Sequence, residues 1–161
     1  MFNCCIALLF ASEKQTINNL AIQQFSTYTS LMPPASGNLL AFDIGTRHTG
    51  VAIAFADSDM AVAKDTMHHA SPSELLEHIR VLMEHHHVHH CVLGLPRLPG
   101  GEEGEQASFV RSIGAKLAQN GREVSYIDER YTTTRNSQYD GNAAAACTIL
   151  NTYLDQKRNL T

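Results

Sequence analysis

The hydrophobic residues of this chain form short apolar runs and longer amphipathic stretches, and the pattern becomes regular after about residue 37. Several apolar runs have the length and composition of β-strands. In chain order they are NLLAFDI, TGVAIAFAD, MAVAKDTM, HHCVLGLP and EVSYIDE. Because only short turns separate the first three runs, the pattern predicts an antiparallel meander, in which MAVAKDTM is the weakest strand.

Amphipathic stretches after the meander predict helices. In chain order they are SPSELLEHIRVLMEHH, EQASFVRSIGAKLAQN and AAAACTILNTYLDQKR. The first opens with a capping box, since Ser71 suits the N-cap, Pro72 the first helical position, and Glu74 follows the serine at the required spacing. Gly121 is placed to end the second helix.

The element order β-β-β-α-β-α-β-α predicts an α/β fold. Strands that are linked by helices pair in parallel through right-handed crossovers. We therefore expect one mixed β-sheet, with a three-strand antiparallel meander, two parallel strands and helices on both faces. A chain of 161 residues is long enough for one domain with a sizeable core.

The first 37 residues differ from the rest of the chain. They are rich in Asn, Gln, Ser and Thr and end in the breaker cluster MPPASG. We expect residues 1–37 to be a disordered or non-core extension, and residues 38–158 to form the folded domain. Met32 stands just before the first clear strand, so one hypothesis is an over-long start; a helix over TINNLAIQQFSTYTSLM is the alternative. An intact mass that includes Met1 would exclude the late start.

The composition is that of a globular protein, with 43% apolar residues, 17% charged residues and a net charge of −4. Nucleic-acid binding would therefore depend on a local basic patch or on metal ions. The four cysteines form no CxxC pair, which favours a reducing, intracellular setting. The early apolar run CCIALLFA is shorter than the roughly 20 residues that span a bilayer. We expect a cytoplasmic protein without a membrane segment.

Acidic residues stand where the predicted strands end. Asp43 ends the first strand, Glu129 ends the last, and Asp140 lies just before the last helix. Functional groups of an α/β sheet gather outside the carboxyl ends of its parallel strands, so these acids can converge. Converging carboxylates are the ligands that Mg²⁺ or Mn²⁺ prefers, and a pair of such ions can activate water against a phosphodiester. We therefore expect a catalytic metal site.

The residues that follow Asp43 are of types that bind phosphate groups. Gly45 lets the backbone approach closely, and Thr46 and Arg47 can donate hydrogen bonds to phosphate oxygens. Arg130 and Arg135, which flank a run of threonines, can contact phosphates in the same way, although a merely polar loop explains them nearly as well.

The combination of motifs resembles the YqgF family, also called RuvX-type Holliday junction resolvases, within the RNase H-like nucleases. The matching stretches are FDIGTRHTGVAIA, VLGLPRLPGGEEGEQASFVRSIGAKL, VSYIDERYTTT and AAAACTILNTYLDQ. The resemblance implies an RNase H-like domain and a metal-dependent nuclease. It implies processing of the 5′ end of precursor 16S rRNA in the ribosome precursor, with Asp43 and Glu129 as metal-binding acids.

The chain departs from the family between its DER motif and the last helix. The segment RYTTTRNSQYDGN is shorter than in the family and lacks basic residues that the family often has there. The position of the family's third acid, counted along the last helix, falls on Asn142. Helical phase supports this count, because Asn142 shares a face with Ala146 and Leu150. Asp140 is favoured by its charge and Asn142 by its geometry, so both remain candidates for the third ligand.

Other functions remain as rivals. A DNA four-way junction offers the same phosphates as RNA and would require a dimer for symmetric cuts, and a degenerate domain would only bind RNA or a partner. DIGTRHTG also resembles the phosphate loop of the actin and sugar-kinase superfamily, but those proteins need a second domain and a second loop. ATP binding in calorimetry would revive that idea. The histidines of EHHHVHHC lie far in sequence from the acids and predict no specific zinc site.

Overall fold

The computed structural model describes residues 37–56, 58–129 and 141–160. The predictions for the N-terminal extension concern residues outside these ranges. The strands are β1 Leu39–Ile44, β2 His48–Ala54, β3 Val62–Ala63, β4 Met67–His68, β5 His90–Leu95 and β6 Glu123–Asp128. The helices are α1 Pro72–His85, α2 Glu105–Gln119 and α3 Gly141–Arg158.

The strands form one mixed sheet in the order β3-β2-β1-β5-β6, with β4 also paired to β2. Pairing is antiparallel between β1 and β2, and between β2 and both β3 and β4. It is parallel from β1 to β5 and from β5 to β6. The predicted α/β fold is thus confirmed, including the meander and the two parallel strands.

The third strand differs from its prediction. The run MAVAKDTM forms two separate two-residue strands, β3 and β4, instead of one. Val62 and Ala63 are both exposed, so the middle of this stretch buries little apolar surface that would stabilise a longer strand.

Side chains of the sheet alternate between two apolar layers. On one face, Leu40, Phe42 and Ile44 of β1 pack in a cluster with buried residues of α1 and α2. On the other face, Ala41 packs in a second cluster with residues of α3 such as Ile149. Because Asp43 lies between Phe42 and Ile44 in β1, strand alternation places it on the α3 face.

The helix ends follow the sequence signals. Ser71 Oγ accepts a hydrogen bond from the Glu74 backbone N–H at 3.2 Å, as predicted for the start of α1. Gly121, just beyond α2, has a φ of +76°, which favours glycine at a helix C-terminus. The last helix begins at Gly141, two residues before its predicted start at Ala143, so Asn142 belongs to its first turn.

No helix within the described part of the chain is long and apolar enough to cross a membrane.

Candidate active site at the carboxyl end of the parallel strands

A tight turn joins β1 to β2 and places Asp43 beside it. The Gly45 backbone N–H donates to the carbonyl oxygen of His48 at 2.9 Å. A Cβ at Gly45 would lie 2.6 Å from that oxygen, so the turn closes this tightly only with glycine. Thr46 and Arg47 are exposed in the turn, at the same end of the sheet as Asp43.

Asp43 and Glu129 approach each other on the α3 face. Glu129 directly follows β6, and its backbone N–H donates to the carbonyl of Leu95 at 3.3 Å. Burial raises the pKa of Asp43. The pKa of Glu129 rises to about 7, first because of burial and then because of the negative charges of Asp43 and Asp128. The site therefore concentrates negative charge in a partly desolvated place.

The backbone of β5 leaves room for the Glu129 side chain at Gly94. A Cβ at Gly94 would overlap Glu129 Oε1 and would lie 2.5 Å from Ile149 Cδ1. The absence of a side chain at this position thus lets the Glu129 carboxylate lie over β5, between β6 and α3. This gives a physical role to the glycine of the GLP motif.

The first turn of α3 closes the site from the side of β2. A Cβ at Gly50 would overlap the backbone carbonyl of Asn142. Gly50 is the register partner of Asp43 across the β1–β2 pair. Asn142 is therefore brought to the strand position next to Asp43. Asp140, the other candidate for the third ligand, lies outside the described residues.

Asp128 belongs to the opposite face and to a different network. Its Oδ2 lies 3.8 Å from Arg97 Nε, and Arg97 also approaches Glu103. Glu103 in turn pairs with Arg111 at 2.6 Å. The loop after β5 is thereby connected to the end of β6 and to α2.

The structure thus brings together some of the predicted site residues. Asp43 and Glu129 converge, and Thr46 and Arg47 lie on the adjacent turn. The remaining predicted residues, Arg130, Arg135 and Asp140, lie outside the described ranges.

Sequence reasoning missed two glycines and a glutamine that shape the site. Gly50 and Gly94 admit Asn142 and Glu129, respectively. An isolated glycine inside an apolar strand run signals a close backbone approach, so this clue was present in the sequence. Gln106 Nε2 donates to the carbonyl of Ile44 at 2.6 Å and fixes α2 to the end of β1. No periodicity in the sequence points to that bond.

We expect Glu129→Gln to stabilise the metal-free protein above neutral pH. Since the folded-state pKa of Glu129 is raised to about 7, its contribution to stability is fully present below about pH 4.5 and is lost as the pH rises through 7. Each pKa unit corresponds to about 1.4 kcal/mol, and partial exposure reduces the total. In urea unfolding with EDTA, the variant should gain about 2 kcal/mol at pH 8 and little at pH 5.

Glu102→Gln is the matched control, because Glu102 is exposed, and it should change the unfolding free energy at neither pH. Equal stabilities of wild type and Glu129→Gln at pH 8 would contradict the electrostatic account of Glu129.

The fold and the paired carboxylates define the class of protein. The chain superposes on Thermus thermophilus RuvC in complex with a Holliday junction substrate with a TM-score of 0.57 and 9% identity, over 76% of this chain and 96% of that one. A second RuvC structure of the same organism gives a TM-score of 0.51 at 10% identity. This likeness shows the RNase H-like fold that the sequence predicted.

The chain belongs to the RuvX family, since the family model, described as Holliday junction resolvase, matches residues 37–156. It is 34% identical over 133 residues to a Lactococcus lactis protein named putative pre-16S rRNA nuclease, over 73% of this chain and 93% of that protein. A protein of the same name from Chloroflexus aurantiacus is 32% identical over 135 residues, over 75% and 88% of the two chains. The predicted membership in a nuclease family is thereby confirmed.

Proposed function

We propose that this chain is a metal-dependent endonuclease that processes the 5′ end of precursor 16S rRNA within the ribosome precursor, in the cytoplasm. The convergence of Asp43 and Glu129 carries the proposal, because burial and then the nearby charge of Asp43 raise the pKa of Glu129 to about 7. The printed names of the Lactococcus and Chloroflexus relatives support the substrate. Residues 38–158 would form the nuclease domain, which agrees with the span of the family model.

The donor set fits Mg²⁺ or Mn²⁺. Such ions use one or two carboxylates together with water and substrate phosphates. Two partly buried carboxylates with raised pKa values match that requirement. Within the described ranges no group of three or more His, Cys, Asp or Glu side chains is placed to hold a metal ion, so a third protein ligand would come from Asn142 or Asp140. When bound, the metal supplies Lewis-acid activation of water and neutralises charge on the phosphodiester.

The protein side chains divide the remaining work. Asp43 and Glu129 would hold the ions, and protonation of these carboxylates as the pH falls would compete with metal binding. Thr46 and Arg47 would donate to non-bridging phosphate oxygens from the turn after β1. Arg130 and Arg135 would contact phosphates as well. These roles position the substrate, and water would be the nucleophile.

Two alternatives have specific support. The family description and the RuvC complex name a Holliday junction, which favours a DNA four-way junction as a second candidate substrate. The first turn of α3 contains no acidic residue, which favours a domain that only binds nucleic acid.

A cleavage assay separates these functions. Wild type, Asp140→Asn and Asn142→Asp would be incubated with a labelled precursor 16S rRNA 5′ fragment and with a four-way DNA junction, in Mn²⁺ and in EDTA. We expect wild type to cut the RNA in Mn²⁺ only. Loss of cleavage in Asp140→Asn would assign the third ligand to Asp140, whereas faster cleavage by Asn142→Asp would assign that position to Asn142.

Cleavage of the junction alone would replace the RNA assignment with the resolvase. If neither wild type nor Asn142→Asp cut either substrate, the nuclease proposal would be wrong and the binding function would take its place.

A further inference from the structure

A second concave site lies beside the carboxylates, at the end of β2 and β4. The pocket has a volume of about 320 Å³, at the lower end of the range for small-ligand sites. It is lined by Arg47, His48, His68, His69, Ala70 and Glu74. Of this set, only Arg47 was predicted from the sequence as a site residue.

The pocket is adjacent to Asp43 through the strand register. His48 is two residues from Gly50 in β2, and Gly50 is the partner of Asp43. Two residues of a strand span roughly 7 Å, and residues with this spacing share a face of the sheet. A nucleic-acid strand with a phosphate at Asp43 and Glu129 therefore lies within reach of the pocket.

Two exposed rings form one part of the lining. His48 and His68 are cross-strand partners, and their rings meet edge to face, with centroids 4.7 Å apart and an angle of 82°. Within the part of the chain that the structure describes, Arg47 makes no ion pair, and its guanidinium is exposed beside these rings. Imidazole rings and guanidinium planes are surfaces on which unstacked bases of single-stranded RNA stack.

A buried histidine, His69, also belongs to the lining. His69 is only 5% exposed, and its Nε2 lies 3.1 Å from Thr49 Oγ1. Its Nδ1 is buried and has no hydrogen-bond partner among the described residues. A buried polar atom without a partner is rare and calls for an explanation such as a ligand. Burial lowers the pKa of His69, so its ring is neutral near pH 7 and offers one donor or one acceptor at Nδ1.

The charges of the lining select the class of ligand. A metal ion is disfavoured, because no group of three or more His, Cys, Asp or Glu side chains is arranged to hold one in the described ranges. A phosphate is disfavoured, because the Glu74 carboxylate belongs to the lining and would repel it. A flat, uncharged group that can stack and form hydrogen bonds is compatible with the two exposed rings, with His69 and with Glu74.

We propose that this pocket binds an unstacked nucleobase of a single-stranded segment next to the phosphodiester at the Asp43–Glu129 site. The proposal rests on the proposed nuclease function and adds a specificity site to it. The enzyme would recognise single-stranded nucleic acid by one base as well as by its backbone.

Binding of RNA with single abasic positions tests the pocket. The probe is a labelled precursor 16S rRNA 5′ fragment in EDTA, with one abasic position moved along its single-stranded part. We expect one position to weaken binding to wild type about tenfold, in line with the loss of one base stacked on an aromatic side chain. The double variant His48→Ala/His68→Ala should bind that probe and the unmodified RNA equally.

His89→Ala is the matched control, because His89 is an exposed histidine just before β5 and should give the wild-type profile. A profile without any sensitive position would overturn the pocket, as would the same sensitive position in the double variant.

Cleavage of unmodified RNA in Mn²⁺, measured in parallel, keeps the two proposals apart. If the RNA is cleaved but no abasic position weakens binding, the base-binding pocket is wrong and the nuclease proposal stands. A sensitive position without cleavage would support the base-binding pocket and contradict the nuclease proposal. A protein that binds no RNA would contradict both proposals.

Discussion

Asp43→Asn should lower the rate of RNA cleavage by at least about 10³-fold and leave the fold intact. A metal ion contributes several kcal/mol of charge stabilisation in the transition state, and a loss of about 4 kcal/mol corresponds to about 10³-fold. Asn keeps the shape of Asp but offers a neutral oxygen and so binds the ion more weakly. The measurement is the single-turnover cleavage rate in Mn²⁺, together with the Mn²⁺ affinity in calorimetry.

The stability of the same variant distinguishes this effect from unfolding. Because burial raises the pKa of Asp43, removal of the charge should not lower the unfolding temperature of the metal-free protein. Asp59→Asn, at an exposed aspartate, is the control and should cleave as fast as wild type. A rate for Asp43→Asn within tenfold of wild type would exclude Asp43 as a metal ligand.

Gly94→Ala should lower cleavage by about 10²-fold and cost about 1–3 kcal/mol of stability. The new methyl group would occupy the place of Glu129 Oε1 and press on Ile149 Cδ1, for which the distance would be 2.5 Å. The Glu129 side chain can turn away more easily than the core can expand. Activity should therefore fall more than stability. The cleavage rate measures activity, and urea unfolding measures stability.

Gly100→Ala provides the comparison, because a Cβ at Gly100 would meet no described atom within 4 Å. This substitution in the loop after β5 should change neither activity nor stability by a measurable amount. If Gly94→Ala cleaved RNA as fast as the Gly100 variant, Glu129 would not need its place over β5.

The fold could be predicted because its signals are local. The apolar run of β1, the cap at Ser71 and the glycine at Gly121 each specify a local conformation, and the element order then restricts the topology. The run over residues 60–67 did not predict one continuous strand correctly, because Val62 and Ala63 in its middle are exposed. Hydrophobic pattern alone does not show which side chains will find a partner.

The candidate site could be predicted only in part. Asp43 and Glu129 were recognisable because each stands at the end of a predicted strand. The role of Gly94 was not recognisable, because it depends on Glu129, which follows a different strand. The histidine pocket was not recognisable either, because His48 and His68 meet only through the register of β2 and β4. Contacts between distant segments depend on strand pairing and side-chain packing, and these cannot be seen in the order of the residues.

The position of the two carboxylates in the sheet gives them different exchange behaviour. β1 is an inner strand, paired on both sides, whereas β6 is the last strand of the described sheet. Local opening requires less free energy at an edge than in a central strand. The backbone that carries Asp43 is thus expected to open less often than the end of β6, which Glu129 follows and which pairs only with β5 in the described sheet. If these two carboxylates hold the ions as proposed, we expect exchange to be easier on the Glu129 side than on the Asp43 side.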